Sequence, residues 1–159
     1  MGSLQWTYHI MLKILTVEDN MHKRQSLIKV ISDIGVLSDE AYSFTSAWIK
    51  LQNNDYDLVL LDMSLPTFDK TDANTGGAFR VFGGKELARK MFRRNITTPF
   101  LFVTQYKNFS ENKSTHSFDS LKNELLNNYH EQCKGFILYS NSNSDWKEEI
   151  ERVIMGLSQ

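Results

Sequence analysis

A chain of 159 residues is the size of one domain, and an apolar fraction of 41% supplies enough side chains for a core. Its 18 basic and 19 acidic residues leave a net charge of −1, which argues against a general nucleic-acid binder or a polybasic membrane protein. The lone cysteine, Cys133, excludes an internal disulfide; a reduced, cytoplasmic setting fits, and the thiol reads as packed rather than catalytic.

No apolar run approaches the ~20 residues needed to span a bilayer. Residues 1–10 (MGSLQWTYHI) lack the basic and apolar regions of a signal peptide. Trp6 stands where a myristoylation motif wants Ser or Thr. The periodic pattern begins at Met11, so residues 1–10 are set aside as an extension or tag remnant. Residues 11–159 are read as one domain.

Lys13 to Val17 is a short apolar run ending in acids, a first strand. Met21 to Ile34 follows with apolar residues at helical spacing, stopped by Gly35. A weaker strand is expected around Glu40 to Ser43, then a helix over Thr45 to Gln52. Asp57 to Leu61 (DLVLL) is apolar almost throughout, as buried parallel strands are. Gly84 to Arg94 predicts a third helix, Pro99 to Val103 a fourth strand and Phe118 to His130 a fourth helix. Gly135 to Tyr139 (GFILY) predicts the fifth strand. Asp145 to Met155 predicts the last helix, with Asp145 and Glu148 forming a capping box.

Strand and helix thus alternate five times, which predicts a doubly wound parallel sheet with helices on both faces. Ligands in such sheets sit at the carboxyl ends of the strands, near the switch point in strand order. Two connections leave that edge and exceed the ~2–6 residues usual there: Thr67 to Gly83 and Gln105 to Ser117. Long loops at a functional edge carry function more often than not.

Glu18 and Asp19 follow the first strand directly, and Asp62 ends the third. In a sheet of order 2-1-3-4-5 these strands are neighbours, so three carboxylates are expected to converge. Like charges so close repel unless a cation neutralises them. A hard divalent ion with oxygen ligands, Mg²⁺ before Mn²⁺, is the natural answer. Thr104 adds a hydroxyl to the same rim.

Four motifs, VEDN at 17–20, LLDMSLP at 60–66, GGKEL at 83–87 and TPFLFVT at 98–104, resemble the receiver domain of two-component response regulators. The resemblance runs from Leu12 to Leu157 and implies a flavodoxin-like (βα)5 fold. It implies that Asp62 accepts a phosphoryl group from a histidine kinase or phosphotransfer protein. It further implies that Glu18, Asp19, Asp62 and the backbone carbonyl of Ser64 bind Mg²⁺ and that Thr104 is the switch hydroxyl. The chemistry would be phosphoryl transfer to a carboxylate, helped by positioning and charge neutralisation.

The sequence departs from the family pattern in three places. The family's lysine near the end of the fifth strand is replaced by Tyr139, which brings no charge, and Lys134 lies at the wrong end of that strand. Gln105 stands where a small residue is usual. The third departure is the pair of long connections. A phosphorylated pocket would be one positive charge short, with Lys85, Lys107 and Arg80 as the candidates to replace it.

Elsewhere the bland readings hold. Arg89, Lys90, Arg93 and Arg94 read as a solvated helix face. His9, His22, His116 and His130 lack metal-ligand spacing, and Phe136 reads as core as readily as a switch aromatic. The leading functional reading is a stand-alone receiver, since the chain ends just after its fifth helix. It would signal through a downstream protein partner or a homodimer across the fourth and fifth helices. The second reading is a degenerate pseudo-receiver that binds proteins without phosphorylation. An enzyme ranks last: Ser64 stands where a haloacid-dehalogenase-like phosphatase needs its second aspartate, and no GxxxxGK[ST] or GxGxxG pattern occurs. Any catalysis would be limited to self-phosphorylation and hydrolysis of the aspartyl phosphate.

Overall fold

In the computed structural model, which describes residues 12–157, a parallel sheet runs through the centre of the molecule. Its strands are β1 (Lys13–Val17), β2 (Leu37–Ala41), β3 (Leu58–Leu61), β6 (Phe100–Thr104) and β9 (Cys133–Leu138), in the order β2-β1-β3-β6-β9. This is the expected 2-1-3-4-5 arrangement. The helices are α1 (Met21–Asp33), α2 (Phe44–Asn53), α3 (Gly83–Arg93), α4 (Phe118–Asn128) and α5 (Asp145–Leu157). The proposed extension, residues 1–10, lies outside the described residues.

Alternation along the strands decides which helix packs where, because successive side chains face opposite sides of a sheet. Ile14, Leu58, Leu60, Leu101, Val103 and Ile137 face α1 and α5, where Leu27, Ile31, Trp146, Ile150 and Ile154 cover them. Leu15, Val17, Val59, Leu61, Phe100 and Phe102 face α2, α3 and α4 and meet Leu51, Leu87, Met91, Leu121 and Leu125. Each aliphatic side chain fully buried in this way contributes roughly 1.5–3 kcal/mol. Cys133 belongs to the second of these cores; burial pushes its thiol pKa up, as suits a packed side chain.

Local chemistry sets the helix starts. The Asn20 side chain accepts from the Lys23 N–H, and Ser43 and Ser46 form a reciprocal capping box at α2. Two expectations are corrected. The second strand is Leu37–Ala41, not 40–43; it is a polar edge strand whose LSDEA sequence carries little apolar signal. Asp145 lies inside the first turn of α5 and does not cap it; its N–H instead donates to Asn143 Oδ1.

Both long connections are β-hairpins rather than irregular loops. The first pairs β4 (Leu65–Pro66) with β5 (Phe79–Arg80) and continues outward through Phe68 N–H to the Gly76 carbonyl and a Thr71–Asn74 bridge. Gly76, with φ 99°, lies in the returning arm opposite Phe68, in a backbone conformation that favours glycine. The second pairs β7 (Asn108–Glu111) with β8 (Ser114–Ser117) and turns at Asn112, with φ 58°. Its Phe109 is buried near Phe82 and Tyr106.

Candidate functional site

Backbone pairing brings the acidic residues to one edge. The Glu18 N–H donates to the Ala41 carbonyl, and the Asp62 N–H donates to the Val17 carbonyl. Both residues therefore sit one step beyond their strands, side by side at the carboxyl edge. They are sunk into the protein: Glu18 is 2% exposed and Asp62 7%. Thr104, at the end of β6, is fully buried beside them in the sheet, and its carbonyl accepts from the Tyr139 N–H.

The occupant of this pocket is a lysine from α1. Lys23 is 1% exposed, and its Nζ lies 3.4 Å from Glu18 Oε1 and 3.4 Å from Asp62 Oδ2. It also donates to the Val103 carbonyl at 2.7 Å. A buried ammonium is tolerated only when paired and hydrogen-bonded, and here it is both. Asp62 Oδ1 accepts from the Met63 N–H at 2.7 Å. Glu18 Oε2 is buried with no hydrogen-bond partner. Burial first, and then the neighbouring Asp62, push the Glu18 pKa up to about 9, against the opposing pull of Lys23.

The third carboxylate does not join the other two. Asp19 Oδ2 is held at 2.7 Å by Lys70, which the first hairpin carries to the pocket rim. The same hairpin is anchored by the Ser43 hydroxyl, which donates to Asp69 Oδ1 at 2.6 Å. Among the described residues no cluster of three or more His, Cys, Asp or Glu side chains is gathered for a metal, which corrects the expected three-way convergence. The physical reason is that Lys23 bridges Glu18 and Asp62 while Lys70 holds Asp19 at the rim. Arg24 secures the loop from behind: its guanidinium donates to the Glu18 and Asp19 carbonyls and to Glu40, and lies 4.0 Å from the Tyr42 ring.

The pocket is not short of positive charge, as Tyr139 had suggested. The three candidate substitutes lie elsewhere: Lys85 pairs with Glu124, Arg80 pairs with Glu86 and stacks on Phe44, and Lys107 is exposed. Tyr139 is buried against Trp146, donates to Asn141, and has its ring 5.8 Å from Lys23 Nζ. Gln105 is exposed and donates to the Tyr106 hydroxyl, so it does not fill the pocket. The Ser64 hydroxyl donates to the Val81 carbonyl and ties the strand end to the start of α3. Phe136 packs among Phe102 and Phe118 as a core residue. Arg89 and Arg93 are exposed on α3 and Arg94 is exposed at its C-cap, while Lys90 sits over the Trp48 ring.

Lys23, Arg24 and Lys70 are the pocket residues that sequence reasoning missed. Lys23 had a legible signal. It lies on the stripe Lys23, Leu27, Val30, Ile31, all buried, immediately after an acidic pair; a lysine on an apolar stripe needs a buried partner. Lys70 had none, because its position depends on how a hairpin folds over the rim.

The donor set suits a small divalent cation in part. Glu18 and Asp62 present oxygens to one pocket, one of them without any partner, and Asp19 stands at its mouth. Hard oxygen ligands of this kind are what Mg²⁺ takes.

No protein-family model matches the chain. Among curated proteins it is 32% identical over 150 residues to the Detocs response regulatory protein DtcB of Enterobacter cloacae, covering 92% of this chain and all of that one. It is 28% identical over 154 residues to the uncharacterised protein y4jR of Sinorhizobium fredii, again across that protein's full length. Among solved structures, the receiver domain of a Francisella response regulator aligns with a TM-score of 0.64 at 17% identity, covering 92% of this chain and 96% of that one. The Thermotoga maritima response regulator TrrA, in complex with Mg²⁺ and beryllofluoride, aligns at 0.60 and 21% identity, covering 90% and 99%.

Proposed function

Because the chain belongs to the response-regulator receiver family, we propose that it accepts a phosphoryl group on Asp62 and signals through protein contacts. The observation that carries the reading is the pocket itself: Asp62 is sunk at the carboxyl edge, with an ammonium 3.4 Å from Oδ2 and a backbone N–H on Oδ1. In the transfer, one carboxylate oxygen of Asp62 bonds to phosphorus as the bond from phosphorus to the donor breaks. The donor keeps that electron pair, as a histidine nitrogen or an acetate oxygen. The product is an acyl phosphate, a dianion with one more negative charge than the carboxylate it replaces.

Glu18, Asp62 and the Ser64 carbonyl would hold Mg²⁺, joined by Asp19 once it leaves Lys70. Bound there, Mg²⁺ would supply charge neutralisation for the phosphoryl oxygens. The Thr104 hydroxyl, at the end of the adjacent strand, would take a hydrogen bond to the phosphoryl group when it is present. The donor would be a histidine kinase or phosphotransfer protein. The output would be a downstream protein contact or a second copy across α4 and α5.

A second reading has its own support. Lys23 and Lys70 already pair with all three carboxylates, as a phosphorylation-independent binding module would require. Backbone amide NMR with beryllofluoride and Mg²⁺ separates the two. The switch reading expects shifts at residues 18–19, 62–64 and 104 in the wild type and none in Asp62→Asn. A wild-type spectrum unmoved by beryllofluoride leaves the binding-module reading in its place.

A further inference from the structure

We infer that Lys23, from the first turn of α1, is the residue that binds the phosphoryl group on Asp62, replacing the cation that Tyr139 does not supply. The inference rests on the phosphoacceptor reading above and names the residue that makes it work.

The geometry selects Lys23 over every other cation near the pocket. Its Nζ is 3.4 Å from Asp62 Oδ2, so oxygens added to that carboxylate would fall within its reach. Arg24 spends its donors on the Glu18 and Asp19 carbonyls and on Glu40. Lys70 is on Asp19 at the rim. Lys85 and Arg80 are paired outside the pocket.

Three features hold the ammonium in place. The Asn20 cap accepts from the Lys23 backbone N–H and fixes the helix start. The Val103 carbonyl accepts from Nζ on the far side of the pocket. The Tyr139 ring lies 5.8 Å from Nζ, where a longer cationic side chain from the end of β9 would meet it. Tyr139 and Lys23 therefore read as one arrangement: the ammonium comes from the first helix, and an aromatic ring occupies the place beside it at the end of the last strand. Two ammonium groups in that volume would repel each other.

A positioned ammonium prefers the dianionic phosphoryl group to a monoanionic carboxylate. It should therefore be held more tightly after transfer than before, and should stabilise the acyl phosphate. The same group competes with a metal for Glu18 and Asp62 before transfer. Removing it should thus move phosphate and metal affinities in opposite directions, which loss of structure would not do.

The experiment measures beryllofluoride affinity and Mg²⁺ affinity separately, on the full chain, in the wild type, Lys23→Met and Lys23→Met/Tyr139→Lys. The inference expects Lys23→Met to weaken beryllofluoride binding about tenfold or more while Mg²⁺ binds at least as tightly as before. It expects the double variant to regain beryllofluoride binding, because the ammonium returns from the other side. Should Lys23→Met fold poorly, the Lys23 Cε methylene signal in the wild type serves instead, and it should shift on adding beryllofluoride. Equal beryllofluoride affinity with and without Lys23, parallel loss of both affinities without rescue, or a Lys23 signal unmoved while the Asp62 amide shifts would each overturn the assignment. A wild type that binds Mg²⁺ but no beryllofluoride would overturn the phosphoacceptor reading itself, and this inference with it.

Discussion

Substituting Gly84 by alanine tests how tightly α3 is set against the phosphoacceptor. The Gly84 N–H donates to the Met63 carbonyl at 2.7 Å, so the helix starts in contact with the loop after β3. A Cβ on Gly84 would lie 2.2 Å from the Asp62 carbonyl oxygen and 3.0 Å from Phe102 Cε1. The first obstacle is backbone and cannot rotate away, so either the helix or the Asp62 peptide must shift. Overpacking of this kind costs about 1–3 kcal/mol, offset by at most ~1 kcal/mol from alanine's better helix propensity. The net expectation is a loss of about 1–2 kcal/mol in urea unfolding, with weaker beryllofluoride binding because Asp62 moves. Gly156→Ala is the control: nothing lies within 4 Å of its added Cβ, so the propensity gain stands alone, up to ~1 kcal/mol. If both substitutions left stability unchanged, or moved it in the same direction, the close-approach argument would be wrong.

Lys70→Ala should release Asp19 and raise Mg²⁺ affinity several-fold in a fluorescence or calorimetric titration, while costing no more than ~1 kcal/mol of stability, as exposed ion pairs do; unchanged affinity would show that Asp19 is no part of a metal site. The Tyr56 hydroxyl donates to Asp39 Oδ2 at 2.7 Å and, ahead of the other causes, holds the Asp39 pKa below its ordinary 3.8. A lowered native pKa contributes stability above the unfolded value and loses it as pH falls through the native one. Tyr56→Phe should therefore cost about 0.5–1.5 kcal/mol at pH 7, and the gap to the wild type should narrow in urea melts taken progressively below about pH 4; a gap that widens with acid would reverse the assignment. Tyr139→Lys alone should not improve phosphoryl acceptance, since it would set a second ammonium against Lys23; a clear gain would mean that Lys23 does not serve the pocket.

The strands, both helical faces and the placing of Glu18 and Asp62 at neighbouring strand ends were legible because each rests on short-range patterns and on the motifs that carry the family resemblance. Strand β3 is apolar at every position, and α1 repeats its buried residues at helical spacing. The edge strand was placed too late because Leu37–Ala41 is half polar and needs only one neighbour. The hairpins were missed because their pairing is set by backbone bonds such as Thr67 N–H to the Ala78 carbonyl, which leave no apolar alternation to read. The charge balance of the site was misjudged for a related reason. Tyr139 marked an absence at one sequence position, whereas the compensating lysine comes from another element and reaches the pocket only through the tertiary fold.

The central claim is that Asp62 carries the phosphoryl group, and intact mass after incubation with acetyl phosphate and Mg²⁺ tests it most directly. The account predicts that the wild type gains the mass of one phosphoryl group, that hydroxylamine removes it as it does an acyl phosphate, and that Asp62→Asn gains nothing. A wild type that gains no mass, or a gain that persists in Asp62→Asn, would contradict it.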